Sequence, residues 1–550
     1  MTGAHTVKLA LWCAALIAVM AGLSLLKGGL FADRYEGDML HLTEIILRVA
    51  DGQWPHLDFM TPIGMLAFWP IAVFVKAGAG FGMAVHLGQL SLAVALAPLA
   101  VWVALSRFRG PLAYLYILLV MTFALALVHG ESISNISISM HYNRWAWALA
   151  FIMLPVGMLP PLRRSVAWDA AALGLPMAAL ALIKVTYVVA LAPGLIVLLI
   201  ARGQWAALGW GVAVTLAALA VFTGIAGVGI WPAYAQDVLT TAGSDIRTNP
   251  GLALDQVVTG PLFIGGHLVA LAAVVFLRQS GFAALGLGLL CLVPGFVYVT
   301  YQNFGNDPQW MLVTALVVLM TLPAAGTRNP WGWDLRLSLG MVGAALLVAS
   351  LPSFFNLAYS PLRHFSETTE DFTTVFPRSD QHDDFFTDTR RVFQVNLQIA
   401  GEDVSEDLEK FASLAERPDL TIVGGEEIAE CSLHNGLVAW FDTAARQLEE
   451  AGIGPNARVL VADLLSALWM YSDDLQPLKG GAPWRYGGAP GIEDAQMVLV
   501  PLCAVNSQTR ADIVTAIDEM GYTLRERLRT DLFILYDKQA EPDQIAANTR

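Results

Sequence analysis

The sequence predicts an α-helical polytopic membrane protein with a water-soluble α/β domain at its C-terminus. Three observations predict it. First, charged residues make up only 14% of the 550-residue chain while hydrophobic ones make up 56%, against about a quarter charged in an ordinary soluble protein. Second, the deficit lies almost wholly before residue 352, in apolar runs long enough to cross a bilayer. Third, acids and bases return at ordinary density after that point, so one chain holds a membrane part and a soluble part.

The runs fall at 8–27, 82–105, 111–129, 145–160, 168–183, 186–201, 205–229, 261–278, 281–300, 310–324 and 335–352, about eleven spans. The first is too long for a signal-peptide core and lacks a small-x-small cleavage site, so it reads as an uncleaved span. Residues 63–80 are also apolar, but Pro62, Pro70 and Lys76 interrupt them. They read as an interfacial or re-entrant piece.

Loop charges set the orientation. Arg107, Arg109, Arg163, Arg164, Arg202, Arg278, Arg328 and Arg336 lie in alternate loops. The loops between them, 29–62, 130–144, 230–260 and 301–309, hold the acids. The positive-inside rule puts the arginines in the cytoplasm, so the N-terminus is cytoplasmic and the C-terminal domain is outside. Counting 63–80 as a span breaks this alternation. The localisation that follows is a bacterial-type inner membrane, with the last domain periplasmic.

The chain divides into a transmembrane domain, 1–352, a polar linker region, 353–407, and an α/β domain, 408–550. Residues 420–425, 457–463 and 495–502 are short apolar runs between turn residues and read as buried strands. Residues 434–451 and 507–520 have helical spacing, and 523–537 alternates like a terminal hairpin. Cys431 and Cys503 are the only cysteines of that domain. In an oxidising compartment they are candidates for a disulfide.

The net charge of −14 argues against a nucleic-acid partner, which needs a basic face. No cysteine and histidine cluster has zinc-site spacing. His41 and His56 fit no standard ligand set, so no cofactor is assigned; a divalent metal is left open.

Chemistry concentrates in the first outward loop, ADRYEGDMLHLTEIILRVADGQWPHLDFMTPIGML, 32–66. Leu42, Ile45, Ile46 and Val49 recur at helical spacing, which predicts an amphipathic helix along the membrane surface. Asp38 stands at its start beside Glu36 and Asp33. Gly52 ends it, and Trp54-Pro55 turns the chain toward Asp58.

This loop resembles the first extracytoplasmic loop of GT-C glycosyltransferases, integral-membrane enzymes that use polyprenyl-phosphate sugars. The matching residues are Glu36-Gly37-Asp38, helix 39–51, Gly52, Pro55, Asp58-Phe59 and Pro62-Ile63-Gly64. The resemblance covers about thirty residues as a motif and residues 1–350 as a layout. Many members carry paired Asp-Glu where this chain has Glu-x-Asp, so both Glu36 and Asp38 stand as candidates, Asp38 first.

The resemblance implies sugar transfer from a polyprenyl-phosphate donor to a lipid or glycan acceptor on the outer face, with inversion. A carboxylate base must take the acceptor's proton, and cations must meet the departing phosphate. The base is Asp38, with Glu36 or Glu131 assisting. Arg144 and Lys184 are the phosphate-binding cations, and His141 and Tyr187 are further candidates.

Each residue also has a structural reading. Asp38 fits a helix cap, Arg144 and Lys184 fit interface anchors, and Asp58 fits a turn. Two other functions fit the same layout: a transporter or flippase of a lipid-linked saccharide, and a non-catalytic envelope assembly protein. Matching broken helices in inverted repeats would mark the transporter, and the sequence shows none.

Overall fold

The computed structural model describes residues 3–128, 130, 134–244, 246, 253–303, 308–409 and 418–540. The first part is helical: α1 Gly3–Lys27, α2 Glu36–Ala50, α3 Trp69–Lys76, α4 Phe81–Arg107, α5 Pro111–Leu125, α6 His141–Met158, α7 Val166–Ile183, α8 Val185–Ala201, α9 Trp205–Ala226, α10 Ile230–Ala242, α11 Leu254–Val258, α12 Pro261–Gln279, α13 Ala283–Gln302, α14 Trp310–Met320 and α15 Leu335–Ser366.

Each predicted span falls on a helix, but fewer than eleven are span-length. Among the described residues seven helices, α1, α4, α7, α9, α12, α13 and α15, are long and apolar enough to cross a membrane. Helices α5, α8 and α14 are apolar but only 15, 17 and 11 residues long. This is a multi-pass membrane protein by its helices.

Helix α6 is the hub. Every one of its residues is buried, because α4, α5, α7, α8 and α14 all pack around it. A helix enclosed on all sides is what an apolar surface without a polar face demands. At the periphery α9 buries only Gly211. It meets α7 where a Cβ on Gly174 would lie 2.5 Å from the Gly211 carbonyl oxygen, the close approach that small residues permit between membrane helices. Residues 63–80 form a short 3-10 turn, Met65–Ala67, and α3. Eight residues reach about 12 Å, well short of a bilayer.

Above the helices lies a polar layer. Strand β1, Leu30–Ala32, follows α1 directly and pairs in parallel with β3, Phe385–Asp388, which pairs in turn with β2, Phe372–Thr374. The region read as a polar linker, 353–407, carries these two strands. It also includes the end of α15, which runs through Pro352 and Pro361 to Ser366. The Asp384 carboxylate accepts from the Gly82 and Met83 N–H groups at 2.9 and 2.8 Å. It thereby satisfies donors that the start of α4 leaves open.

The C-terminal region is mixed α/β. Strands Tyr522–Arg529, Phe533–Ala540, Met497–Pro501 and Val459–Val461 form a four-stranded sheet in that order. The last pair is parallel and the others antiparallel. Helices Leu437–Glu450 and Ser507–Glu519 and the terminal hairpin fall where the periodicity predicts. Thr421–Val423 instead joins Glu426–Ile428 in a separate two-stranded ribbon. Cys431 and Cys503 are bonded, with Cα atoms 4.4 Å apart.

Candidate functional site

Helix α2 is the base of the site, and it does not lie on an open membrane surface. It begins at Glu36, three residues before the predicted start, after Tyr35 in a left-handed conformation with φ 69°. The apolar stripe Leu42, Ile45, Ile46 and Val49 is buried as predicted. The opposite face is buried too, against the C-terminal region. Glu44 is fully buried and accepts from Arg48 at 3.0 and 2.8 Å, from the Ser466 hydroxyl at 2.8 Å and from the Trp469 indole at 3.0 Å. Arg48 donates in turn to the Leu478 carbonyl at 3.0 Å. A layer of protein replaces the water that an amphipathic pattern implies.

The candidate carboxylates separate in this setting. Asp38 is in the first turn of α2, not at its cap; Tyr35 holds that place and makes no side-chain cap bond. Asp38 is half-buried and accepts from the Ser139 hydroxyl at 2.8 Å. The first turn favours its negative charge. Glu36 is bound to the Arg391 guanidinium by both oxygens, one contact at 2.8 Å, and Arg391 also reaches Asn435. Glu36 therefore ties α2 to the C-terminal region. Glu131 lies outside the described residues.

Asp33, to which the sequence reading gives no role, belongs to the same cluster. Its N–H donates to the Ile136 carbonyl at 3.1 Å. Burial pushes its carboxyl up to about 6, with the Asn135 side chain pulling the other way. Its place directly after β1, two residues before the turn into α2, is the signal that marks it.

The cationic candidates gather on the other side of the same segment. Lys184 alone separates α7 from α8, in extended conformation. Its ammonium donates to Asn143 Oδ1 at 2.9 Å and to Asn303 Oδ1 at 3.0 Å, and lies 5.4 Å from the Tyr142 ring. The Tyr187 hydroxyl donates to the Asn143 carbonyl at 3.4 Å and accepts from Asn303 at 3.3 Å. Arg144, next in sequence, is buried and donates to the Val128 carbonyl at 2.6 Å. Lys184 and Tyr187 thus share one knot with Asn143, and Asn303 completes it. No sequence pattern pointed to Asn303, the residue that follows α13.

His141 is placed elsewhere. Its ring nitrogens face the Ala67 carbonyl at 2.8 Å and the Ile138 carbonyl at 3.3 Å, which ties the 63–67 segment to α6. The motif glycine Gly64 is required there, because a Cβ on it would lie 2.3 Å from the Leu182 carbonyl oxygen. Asp58 accepts from the Trp54 N–H at 2.7 Å and closes its own turn. His56 pairs with Asp237 at 2.8 Å and stacks on Tyr234, while His41 meets Trp484. The two histidines are held by different partners. Among the described residues no group of three or more His, Cys, Asp or Glu side chains is placed to hold a metal ion.

The site is therefore one segment, 134–144, a loop and the first turn of α6, with carboxylates bonded to its loop part and a lysine–asparagine knot at its helical end. Compared with protein-family models, curated proteins and solved structures, the chain matches none.

Proposed function

We propose that this protein is a membrane glycosyltransferase that moves a sugar from a polyprenyl-phosphate donor to an envelope acceptor, with inversion, on the outer face of the membrane. One observation carries the reading. Ser139, bonded to Asp38, and Asn143, bonded to Lys184, lie four residues apart. A base and a phosphate-binding cation are thus fixed to one short segment.

Asp38 is the base of choice. It lies half-buried in the first turn of α2 and is bonded to Ser139, while Glu36 ties α2 to Arg391. As the acceptor hydroxyl attacks the anomeric carbon, Asp38 takes its proton. Lys184 meets the charge that develops on the departing lipid phosphate. Its neighbours Asn143, Asn303 and Tyr187 hold it in place. The orientation in which this face is periplasmic and the N-terminus cytoplasmic is supported by the alternation of arginine and acid loops.

The test is the envelope of a deletion strain. Loss of one sugar from its glycans or glycolipids, restored by the wild-type chain and not by Asp38→Asn, supports transfer. Accumulation of a complete lipid-linked precursor, relieved by Asp38→Asn as well as by wild type, replaces the reading with transport.

A further inference from the structure

A second concave site lies at the far end of α2. Asp38 and Ala50 are twelve residues apart, about 18 Å along a helix axis. Beyond Leu47 the helix end, the 376–382 loop and the 469–477 segment enclose a cleft of about 1000 Å³. That volume is at the upper end of the range for small-molecule sites.

The wall has a definite chemistry. Five carboxylates face three basic side chains, which leaves it negative. Arg378 is engaged with Glu449 at 2.9 and 2.7 Å and with Asp442 at 3.2 Å, so its charge is neutralised within the wall. Trp469, fixed by its bond to Glu44, adds a flat apolar surface. Tyr471 also lines the cleft, and its buried hydroxyl has no hydrogen-bond partner among the described residues. Asp473 and Gln476 are exposed at the opening. Ionised carboxylates only accept hydrogen bonds, so this wall calls for a ligand rich in donors. The negative balance disfavours an anion.

We propose that the cleft binds a neutral or amino-sugar segment of a glycan. Taken with the transferase reading, on which this part rests, that glycan is the acceptor, held several sugar units from the end that reacts at Asp38. The same helix then carries the base at one end and the acceptor's grip at the other.

The full-length chain in detergent micelles can be tested against an array of neutral, amino and uronic-acid oligosaccharides. The expected result is binding to a neutral or amino oligosaccharide, weakened about tenfold or more, the equivalent of about 1.4 kcal/mol, by Asp473→Asn with Gln476→Ala. No binding, binding of acidic oligosaccharides only, or equal binding by the double variant overturns the proposal. Binding as expected without any sugar transfer overturns the transferase reading and leaves the cleft standing.

Discussion

Asp38 and Glu44 are two carboxylates less than two turns apart on one helix, and their surroundings differ. Glu44 is fully buried, and its oxygens accept from Arg48, Ser466 and Trp469. Asp38 is half-buried and accepts from Ser139 in the loop before α6. A buried carboxylate surrounded by donors is fixed in position. On the transferase reading, the acid at the edge of that layer is the one that takes the acceptor's proton. Surroundings, not residue type, separate the structural acid from the proposed base.

The largest effect expected is from the structural end. Glu44→Ala leaves Arg48 buried without its carboxylate and should cost about 3–5 kcal/mol, read as a large fall in the thermal unfolding midpoint of the detergent-solubilised chain. Asp38→Asn should leave that midpoint nearly unchanged and reduce sugar transfer by roughly 100-fold or more, the range for losing a general base. If Asp38→Asn unfolds the chain as Glu44→Ala does, both acids are structural and the contrast disappears.

Smaller effects sharpen it. Lys184→Ala should lower the use of a polyprenyl-phosphate donor about tenfold, which corresponds to a lost hydrogen bond to a charged group, at constant protein level. Wild-type donor kinetics would reduce Lys184 to an anchor. Glu36→Gln keeps some of the bonding to Arg391 and should cost about 1 kcal/mol while transfer stays within a few-fold of wild type. A Glu36→Gln protein that is folded but inactive moves the base by two residues.

A further effect concerns pH. The Asp33 carboxyl is raised from 3.8 to about 6 in the folded chain. Between these values the folded state holds a proton that the unfolded state has released. Stability therefore falls as pH rises from about 4 to about 6 and levels off above. Asp33→Asn should flatten that slope in a series of unfolding midpoints.

The sequence showed those parts whose signal is local. An apolar run has the same composition wherever its neighbours lie, so all the predicted spans fall on helices. The strands of the four-stranded sheet were legible for the same reason. The number of span-length helices was not, because α5, α8 and α14 stop after 15, 17 and 11 residues. The second face of α2 was also illegible. Glu44 and Arg48 at i,i+4 look alike whether they face water or Ser466 and Trp469. Glu36 gave no hint of Arg391, 355 positions away, and Lys184 none of Asn303. Polar contacts made across such separations leave no period in the chain.

The pairing of β1 with β3 has a consequence in time. Leu30 meets Phe385, so the ribosome adds 355 residues between one strand and its partner. At about 5–20 residues per second, that is an interval of about 20–70 s. Throughout it, α1 is already made while β1 has an unpaired edge and α2 lacks the cover that Ser466 and Trp469 later provide. The proposed base thus acquires its finished surroundings only when nearly all of the chain has been synthesised. A nascent chain halted before residue 385 has every carboxylate of the first loop but lacks Arg391, Ser466 and Trp469, which hold Glu36 and Glu44.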